Sequence, residues 1–285
     1  MYSKIIFYNE FNNGDLFESR EFVRMWMKLI PSDEYFYAHK RSHRILMDIH
    51  NLQFTGLLPS MSPTRQMRYD KDTLYINTWV GITGRYLLPG IGCTVEGLYK
   101  MYSEILGKPF PGKPSDYLTD FDYLYYDLDP CHEFLGKHQE EKIFIDNGMV
   151  LSKQAENFPF HEAISIVAAN NKDKCFIVSE PLPVDMPNVY STDSITKRLY
   201  ICDLPEISYL SRFCTTLIGR NSGPHVFTQV KANLMDETKK LVSFTYEQTG
   251  ASFVANNPDV KIRRYWFNLT EPKLVAQAIQ RTIND

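Results

Sequence analysis

The sequence has no stretch near the roughly 20 uninterrupted apolar residues that a membrane-spanning helix needs. Its amino-terminal apolar run, Ile5-Ile6-Phe7-Tyr8, is short and flanked by polar residues. A secretory signal has a longer apolar segment and a cleavage site. These absences predict a soluble, cytoplasmic protein without a transmembrane segment.

Cysteine is scarce and scattered, and positive charge is nowhere concentrated. The five cysteines form no Cys-x-x-Cys pair, which in a cytoplasmic chain indicates reduced, mostly buried thiols. The formal net charge is -3, and no dense block of lysine and arginine occurs. Nucleic-acid binders usually carry such a block, so we expect no nucleic-acid partner.

What the chain does contain is two copies of one structural pattern. The apolar run at residues 5–8 predicts a buried strand, and apolar residues at helical spacing between positions 22 and 30 predict a helix that Pro31 ends. Residues 34–38 predict a second strand. The same order restarts with the apolar strand at residues 142–146. Repeated β-α-β order is typical of doubly wound parallel sheets.

The 285 residues fit two domains of ordinary size. We therefore predict an α/β protein of two Rossmann-like domains facing a central cleft. The first spans residues 1–140, and the second spans residues 141–285 and ends in a terminal helix. Ligands of such sheets bind beyond the carboxyl ends of the strands.

The segment Leu217–His225 predicts an apolar strand, a sharp polar turn and a helix. Ser222 suits the N-cap position, and Pro224 suits the first helical turn, where its missing N–H costs no hydrogen bond. A turn of this kind directs backbone N–H groups and the positive end of a helix dipole at one point. It predicts a site for a phosphate or diphosphate.

Two motifs together resemble a known family. Gly14-Asp15, between the first strand and its helix, and Ile218-Gly219-Arg220-Asn221-Ser222-Gly223-Pro224 resemble the two signatures of heptosyltransferase-like GT-B glycosyltransferases. Residues 144–148 and 154–158 are similar to stretches of uncharacterised relatives in polysaccharide biosynthesis. The resemblance extends over most of the chain and is specific at these positions.

This resemblance implies an inverting glycosyltransferase that moves a sugar from a nucleotide-diphosphate donor to a hydroxyl of a glycan or glycolipid acceptor. The acceptor would bind the first domain and the donor the second. No cofactor beyond the donor co-substrate and no metal is implied. Asp15 inherits the role of general base, because one carboxylate must take the proton of the attacking hydroxyl.

Binding residues are predicted from the resemblance and from residue types at the expected cleft. For the acceptor we predict Trp79, which can stack on a sugar, and Arg65. Lys153 stands near the family's phosphate-contacting lysine. The predicted donor-binding residues are Asn13, Gly14, Asn147, Gly148, Lys153, Arg220, Asn221, Ser222, Gly223 and Pro224.

The second motif departs from the family pattern at two positions. Asn221 stands where the family has an aspartate, and His225 follows Gly223 by two positions instead of three. Arg220 can replace part of the lost function by pairing with phosphate.

Two alternatives stay open. Asp127-Leu128-Asp129, after the apolar stretch 123–126, matches the way GT-A glycosyltransferases hold a divalent cation on the donor diphosphate. The chain can also be a non-catalytic protein that binds nucleotide sugars or glycans on the same fold.

Overall fold

The computed structural model describes residues 2–10, 12–56, 67–79, 102–103, 106–109, 114–151, 155–197, 202–220, 223–246 and 257–285. The chain forms two compact units. Unit 1 contains residues 1–125 and 253–259, and unit 2 contains residues 126–252 and 260–285. The predicted boundary between residues 140 and 141 lies within unit 2.

Unit 1 is built on a five-stranded sheet in the order β3-β2-β1-β5-β4. Strands β1, β2, β3 and β5 are parallel, and β4 pairs with β5 in the antiparallel direction. The predicted β-α-β opening is confirmed. The elements are β1 (Tyr2–Tyr8), α1 (Asn13–Leu29), β2 (Ser32–Ala38), β3 (Leu52–Thr55), β4 (Met67–Asp70) and β5 (Thr73–Asn77).

Helix α1 begins earlier than its apolar pattern indicates. Residues 13–15, expected in a loop, form its first turn, where the backbone N–H of Asn12 donates to the Asp15 carboxylate at 3.1 Å. A carboxylate near a helix N-terminus is stabilised by the free N–H groups and the dipole. Local capping thus outweighs the turn-forming composition of this segment.

Unit 2 contains a six-stranded, fully parallel sheet in the order β11-β10-β9-β6-β7-β8. Its strands are β6 (Glu141–Asp146), β7 (Lys174–Val178), β8 (Val189–Ser191), β9 (Thr216–Arg220), β10 (Lys240–Phe244) and β11 (Arg263–Phe267). Its helices are α2 (Asp129–Lys137), α3 (Phe160–Asn170), α4 (Thr192–Thr196), α5 (Leu204–Ser211), α6 (Pro224–Phe227), α7 (Lys231–Leu234) and α8 (Pro272–Asn284).

The apolar faces of α3 and α8 pack with the central strands into one core, as continuous apolar strands require. Two buried lysines at the amino end of the sheet complete helix ends. Lys239 Nζ donates to the Arg212 carbonyl at 2.6 Å just after α5, and Lys240 Nζ donates to the Thr282 carbonyl at 2.8 Å near the end of α8. A cation favours the carbonyl end of a helix.

Several elements differ from the sequence prediction. The short strands β3, β4 and β8 were not expected, because three or four residues carry too little periodicity to identify a strand. Residues 123–125, in the apolar stretch before Asp127, form a 3₁₀ turn. The sequence also predicts a helix from Glu96 to Leu106 and a strand from Tyr200 to Cys202, and both fall largely outside the described residues. Within the described ranges, no helix has the length and hydrophobicity to cross a membrane.

Candidate functional site

The sheet of unit 2 reverses its strand order between β6 and β9. From β6 the chain continues outward through β7 and β8, and it later returns to the other side of β6 with β9, β10 and β11. Such a switch point leaves a crevice at the carboxyl ends of the two adjacent strands, where ligands of α/β sheets bind. Asp146 ends β6 and Arg220 ends β9, so these side chains border the crevice.

Asp146 is 2% exposed, and its carboxylate joins three loops. Oδ1 accepts from Ser179 Oγ at 2.6 Å and from the Gly148 N–H at 3.0 Å. Oδ2 accepts from the N–H of His225, in the first turn of α6, at 3.0 Å. Burial raises the pKa of Asp146 to about 6, although these three donors and the charge of Arg220 oppose the rise. Sequence reasoning assigned Asp146 no role.

The first backbone N–H groups of α6 are bound within the chain. Helix α6 has four residues, too few for a substantial dipole. Pro224 has no N–H. The N–H of His225 binds Asp146, and the N–H of Val226 binds the Gly223 carbonyl at 3.1 Å. Gly223, with φ of 52°, adopts a backbone conformation that favours glycine. A carboxylate of the chain already occupies the start of this helix.

His225 points away from the crevice and into the core. It is fully buried, and its Nε2 lies 3.1 Å from Ser243 Oγ. Burial lowers its pKa to about 3, so the ring is neutral. A Cβ on Gly219 would lie 2.7 Å from the imidazole Cγ. Gly219 is therefore glycine because the ring packs directly on its Cα.

We expect Gly219→Ala to lower the free energy of unfolding by about 1–3 kcal/mol, because the added methyl overpacks this contact. His225→Ala removes the obstructing ring. The double variant should lose less stability than the sum of the losses of the two single variants. Chemical denaturation of the single and double variants measures this, and strictly additive losses would contradict the contact.

Arg220 lies beside a cavity of about 380 Å³ within unit 2. The residue is 2% exposed, and its guanidinium lies 5.2 and 5.4 Å from the ring centroids of Phe158 and Phe160. Its Nη2 donates to the carbonyls of Asn147 and Gly148. Among the described residues, Arg220 forms no ion pair, and its Nε has no hydrogen-bond partner. The result is a buried cation facing a cavity.

Asn147 lines the same cavity, and Gly148 follows it in the loop after β6. The Asn147 amide pairs with the backbone of Glu180, donating to its carbonyl and accepting from its N–H, both at 2.8 Å. A Cβ on Gly148 would lie 3.2 Å from both Asp146 Oδ1 and Glu180 Oε1. The missing side chain thus allows both acids to approach the loop. Two predicted donor-binding residues therefore act by bracing the β6 and β7 loops.

Unit 1 has its own switch point, between β1 and β5, and α1 begins just after β1. Asp15 is half-buried in the first turn of this helix. Burial raises its pKa, while the hydrogen bond from Asn12 and the charge of Arg41 oppose the rise. The neighbouring Asn13 Oδ1 is buried without a hydrogen-bond partner in the described part of the chain.

A second acid, Glu18, lies one turn further along α1 and was not expected. It is 6% exposed, and burial followed by the charge of Asp15 raises its pKa to about 8. Nearby, Tyr37 Oη lies 3.1 Å from Ser19 Oγ and 2.5 Å from Thr78 Oγ1. These contacts join α1 to the ends of β2 and β5. The i, i+3 spacing from Asp15 was the available sequence signal for Glu18.

The remaining predicted residues divide into two groups. Trp79 is half-buried just after β5, and its backbone N–H donates to Asn77 Oδ1 at 2.9 Å. Gly14 lies in the first turn of α1. The other predicted residues lie outside the described residues: Arg65, Lys153, Asn221 and Ser222.

The Asp127-Leu128-Asp129 segment lacks the strand that its metal-binding interpretation requires. Asp127 Oδ1 accepts from the Asp129 N–H at 3.3 Å, and Asp129 begins α2. Among the described residues, no group of three or more histidine, cysteine or acidic side chains is arranged to hold a metal ion.

Neither a family model nor a curated protein sequence matches the chain. Solved structures do. A glycosyl transferase family 9 protein from Veillonella parvula aligns with a TM-score of 0.57 and 12% identity over 100% of this chain and 90% of its own. The E. coli heptosyltransferase WaaC with ADP-2-deoxy-2-fluoro heptose aligns with a TM-score of 0.55 and 10% identity over 99% of each chain.

S. aureus MnaA, in a co-structure with UDP, aligns with a TM-score of 0.53 and 9% identity over 99% of this chain and 88% of its own. At such low identities the similarity concerns the fold. The predicted fold class is confirmed: the chain has the α/β fold of heptosyltransferase-like GT-B glycosyltransferases.

Proposed function

We propose that this protein is an inverting glycosyltransferase that transfers a sugar from a nucleotide-diphosphate donor to a hydroxyl of a glycan or glycolipid acceptor. Asp15 takes the proton of that hydroxyl as its oxygen attacks the anomeric carbon. The bond from this carbon to the diphosphate oxygen breaks, and the nucleoside diphosphate leaves. We further propose that unit 2 binds the donor, that unit 1 binds the acceptor, and that the reaction takes place in the cytoplasm.

The observation that best supports this proposal is the Arg220 guanidinium. A buried cation is costly unless an anion or strong acceptors compensate it. Arg220 has two carbonyl acceptors and no ion pair in the described residues, and it lines the cavity at the β6–β9 switch point. A bound diphosphate would pair with this cation directly through charge-assisted hydrogen bonds.

The same cation supports chemistry without a metal. Negative charge develops on the leaving diphosphate as the sugar–oxygen bond breaks, and a preorganised positive group stabilises that charge. The GT-A alternative assigns this task to a divalent cation on Asp127 and Asp129. Transfer that survives chelation would favour Arg220, whereas loss restored by added Mg²⁺ or Mn²⁺ would favour the alternative.

We expect ADP or UDP, and sugars linked to one of them, to raise the melting temperature of the wild-type protein. Arg220→Met should weaken the affinity about 10–100-fold, since hydrogen bonds to charged groups contribute about 1.5–3 kcal/mol. Arg220→Lys keeps the charge and should lose less. Titration calorimetry measures these affinities, and ligand-free melting curves control for misfolding.

An unchanged affinity in Arg220→Met would contradict the donor site. Binding of nucleotide sugars without any transfer or hydrolysis, over a range of glycan acceptors, would instead favour the non-catalytic alternative.

A further inference from the structure

The carboxylate of Asp146 occupies a place where a donor diphosphate is expected to bring more negative charge. It accepts a hydrogen bond from the N–H of His225 at 3.0 Å, and His225 follows the segment whose sequence resembles a diphosphate site. Arg220, on the adjacent strand, faces the cavity. Two anions close together in a buried region repel strongly because the local dielectric is low.

We propose that Asp146 is a positioning residue of the donor site, which holds the loops of the crevice and takes a proton from solvent when a diphosphate binds beside it. This inference rests on the proposed function, and it assigns Asp146 a role that the two signature motifs do not contain. The proton removes one of the two adjacent negative charges without breaking the fold.

The positioning role follows from the hydrogen bonds. Ser179 belongs to the β7 loop, Gly148 to the β6 loop, and His225 to α6, and all three donate to this one carboxylate. All three donors are neutral. Within the described ranges Asp146 forms no ion pair, so its charge is held by hydrogen bonds that a protonated acid or an amide can partly keep.

The charged neighbours determine when the proton is taken up. Arg220 at the end of β9 favours the ionised form of Asp146. The exposed Glu180 carboxylate, after β7, approaches the same Gly148 position as Asp146. On α6, His225 is neutral because burial lowers its pKa to about 3. With the pKa of Asp146 already raised to about 6 by burial, added negative charge raises it further.

The expected consequence is that donor affinity increases as the pH falls from about 8 to about 6. By linkage, the gain has a limit, reached well below pH 6, of about tenfold for each unit by which the bound diphosphate raises the pKa of Asp146. Sugar-linked diphosphates suit the measurement because they have no phosphate proton that titrates in this range. UDP-glucose and ADP-glucose serve as probes.

Asp146→Asn keeps the size and an acceptor oxygen but carries no charge. We expect its affinity for the probe to be at least that of the wild type at pH 8 and nearly independent of pH. Ser179→Ala is the matched control, because it removes a donor that lowers the pKa of Asp146 and leaves the charge. In Ser179→Ala, the rise in probe affinity with falling pH should therefore begin at a higher pH than in the wild type.

Titration calorimetry at several pH values, with ligand-free melting curves for each variant, separates the outcomes. The same pH profile in the wild type and Asp146→Asn would overturn the inference, as would an unshifted profile in Ser179→Ala if Asp146→Asn fails to fold. Absence of probe binding to the wild type at every pH would overturn the proposed function itself. A merely structural role predicts lower melting temperatures and no change of pH profile.

Discussion

Asp15→Asn is expected to lower the rate of sugar transfer by about 10²–10⁴-fold, the usual contribution of a positioned general base. Donor affinity should change little, because Arg220, the proposed partner of the diphosphate, belongs to unit 2. The amide oxygen of asparagine can still accept the N–H of Asn12, so the start of α1 is retained. A loss of rate with intact folding would therefore reflect the missing proton acceptor.

Glu18→Gln is the matched control for this experiment. Glu18 is a second buried acid on the same helix, with a pKa raised to about 8 by burial and by the charge of Asp15. At neutral pH it is mostly protonated and a poor base. We expect Glu18→Gln to retain most of the activity, and a collapse in Glu18→Gln together with an active Asp15→Asn would assign the base to Glu18.

The pH dependence gives an independent check. A base must be ionised, so the transfer rate should rise with pH through the pKa of Asp15, which burial places above its usual value. Asp15→Asn should lose this acid limb. Steady-state rates from about pH 4 to pH 8, with donor and acceptor saturating, measure it.

The fold could be predicted well wherever long apolar patterns dominate. Strands β1 and β6 contain continuous apolar runs, and α8 has a clear apolar stripe, so the parallel β-α-β core of both sheets could be inferred from sequence. The place of the site also follows, because the carboxyl ends of parallel strands meet at one edge. Short strands such as β3 and β8 carry no such signal.

Individual contacts at the site could be predicted less well from the sequence. The segment before Pro224 has the composition of an anion site, and the N–H of His225 just after it binds the carboxylate of Asp146, 79 positions earlier in the sequence. The mismatch of His225 with the family pattern has a packing reason, since its ring lies on Gly219. The pairing of β6 with β9, far apart in the chain, brings Asp146 next to this segment, and the local sequence pattern does not encode it.

A buried ion pair gives the largest expected effect on stability. The side chains of Arg20 on α1 and Asp48 are fully buried, with Nη1–Oδ1 and Nη2–Oδ2 distances of 2.8 and 2.5 Å. Burial raises the pKa of Asp48, but Arg20, Arg24 and the N–H of Asp122 outweigh burial, so the pKa is lowered overall. Arg20 also donates to the carbonyls of Ile45 and Asp120. One pair thus joins three segments of unit 1.

Asp48→Asn should lower the free energy of unfolding of unit 1 by about 3–5 kcal/mol, because it leaves the Arg20 charge buried and unpaired. Arg24→Gln, which removes a partly exposed partner of the same carboxylate, should cost less than about 1 kcal/mol. Of the three tryptophans, Trp26 and Trp79 belong to unit 1 and Trp266 to unit 2. A Trp266→Phe background therefore confines the fluorescence signal to unit 1 during denaturation.

The double variant Arg20→Met/Asp48→Leu distinguishes a charge effect from a general disruption. Removing both charges should recover part of the loss, since apolar side chains can replace a buried pair. Recovery should be incomplete, because the carbonyls of Ile45 and Asp120 and the N–H of Asp122 lose their partners, at about 1–3 kcal/mol for each group left unsatisfied. A double variant no more stable than Asp48→Asn would show that these backbone hydrogen bonds, and not the unpaired charge, dominate the stability of unit 1.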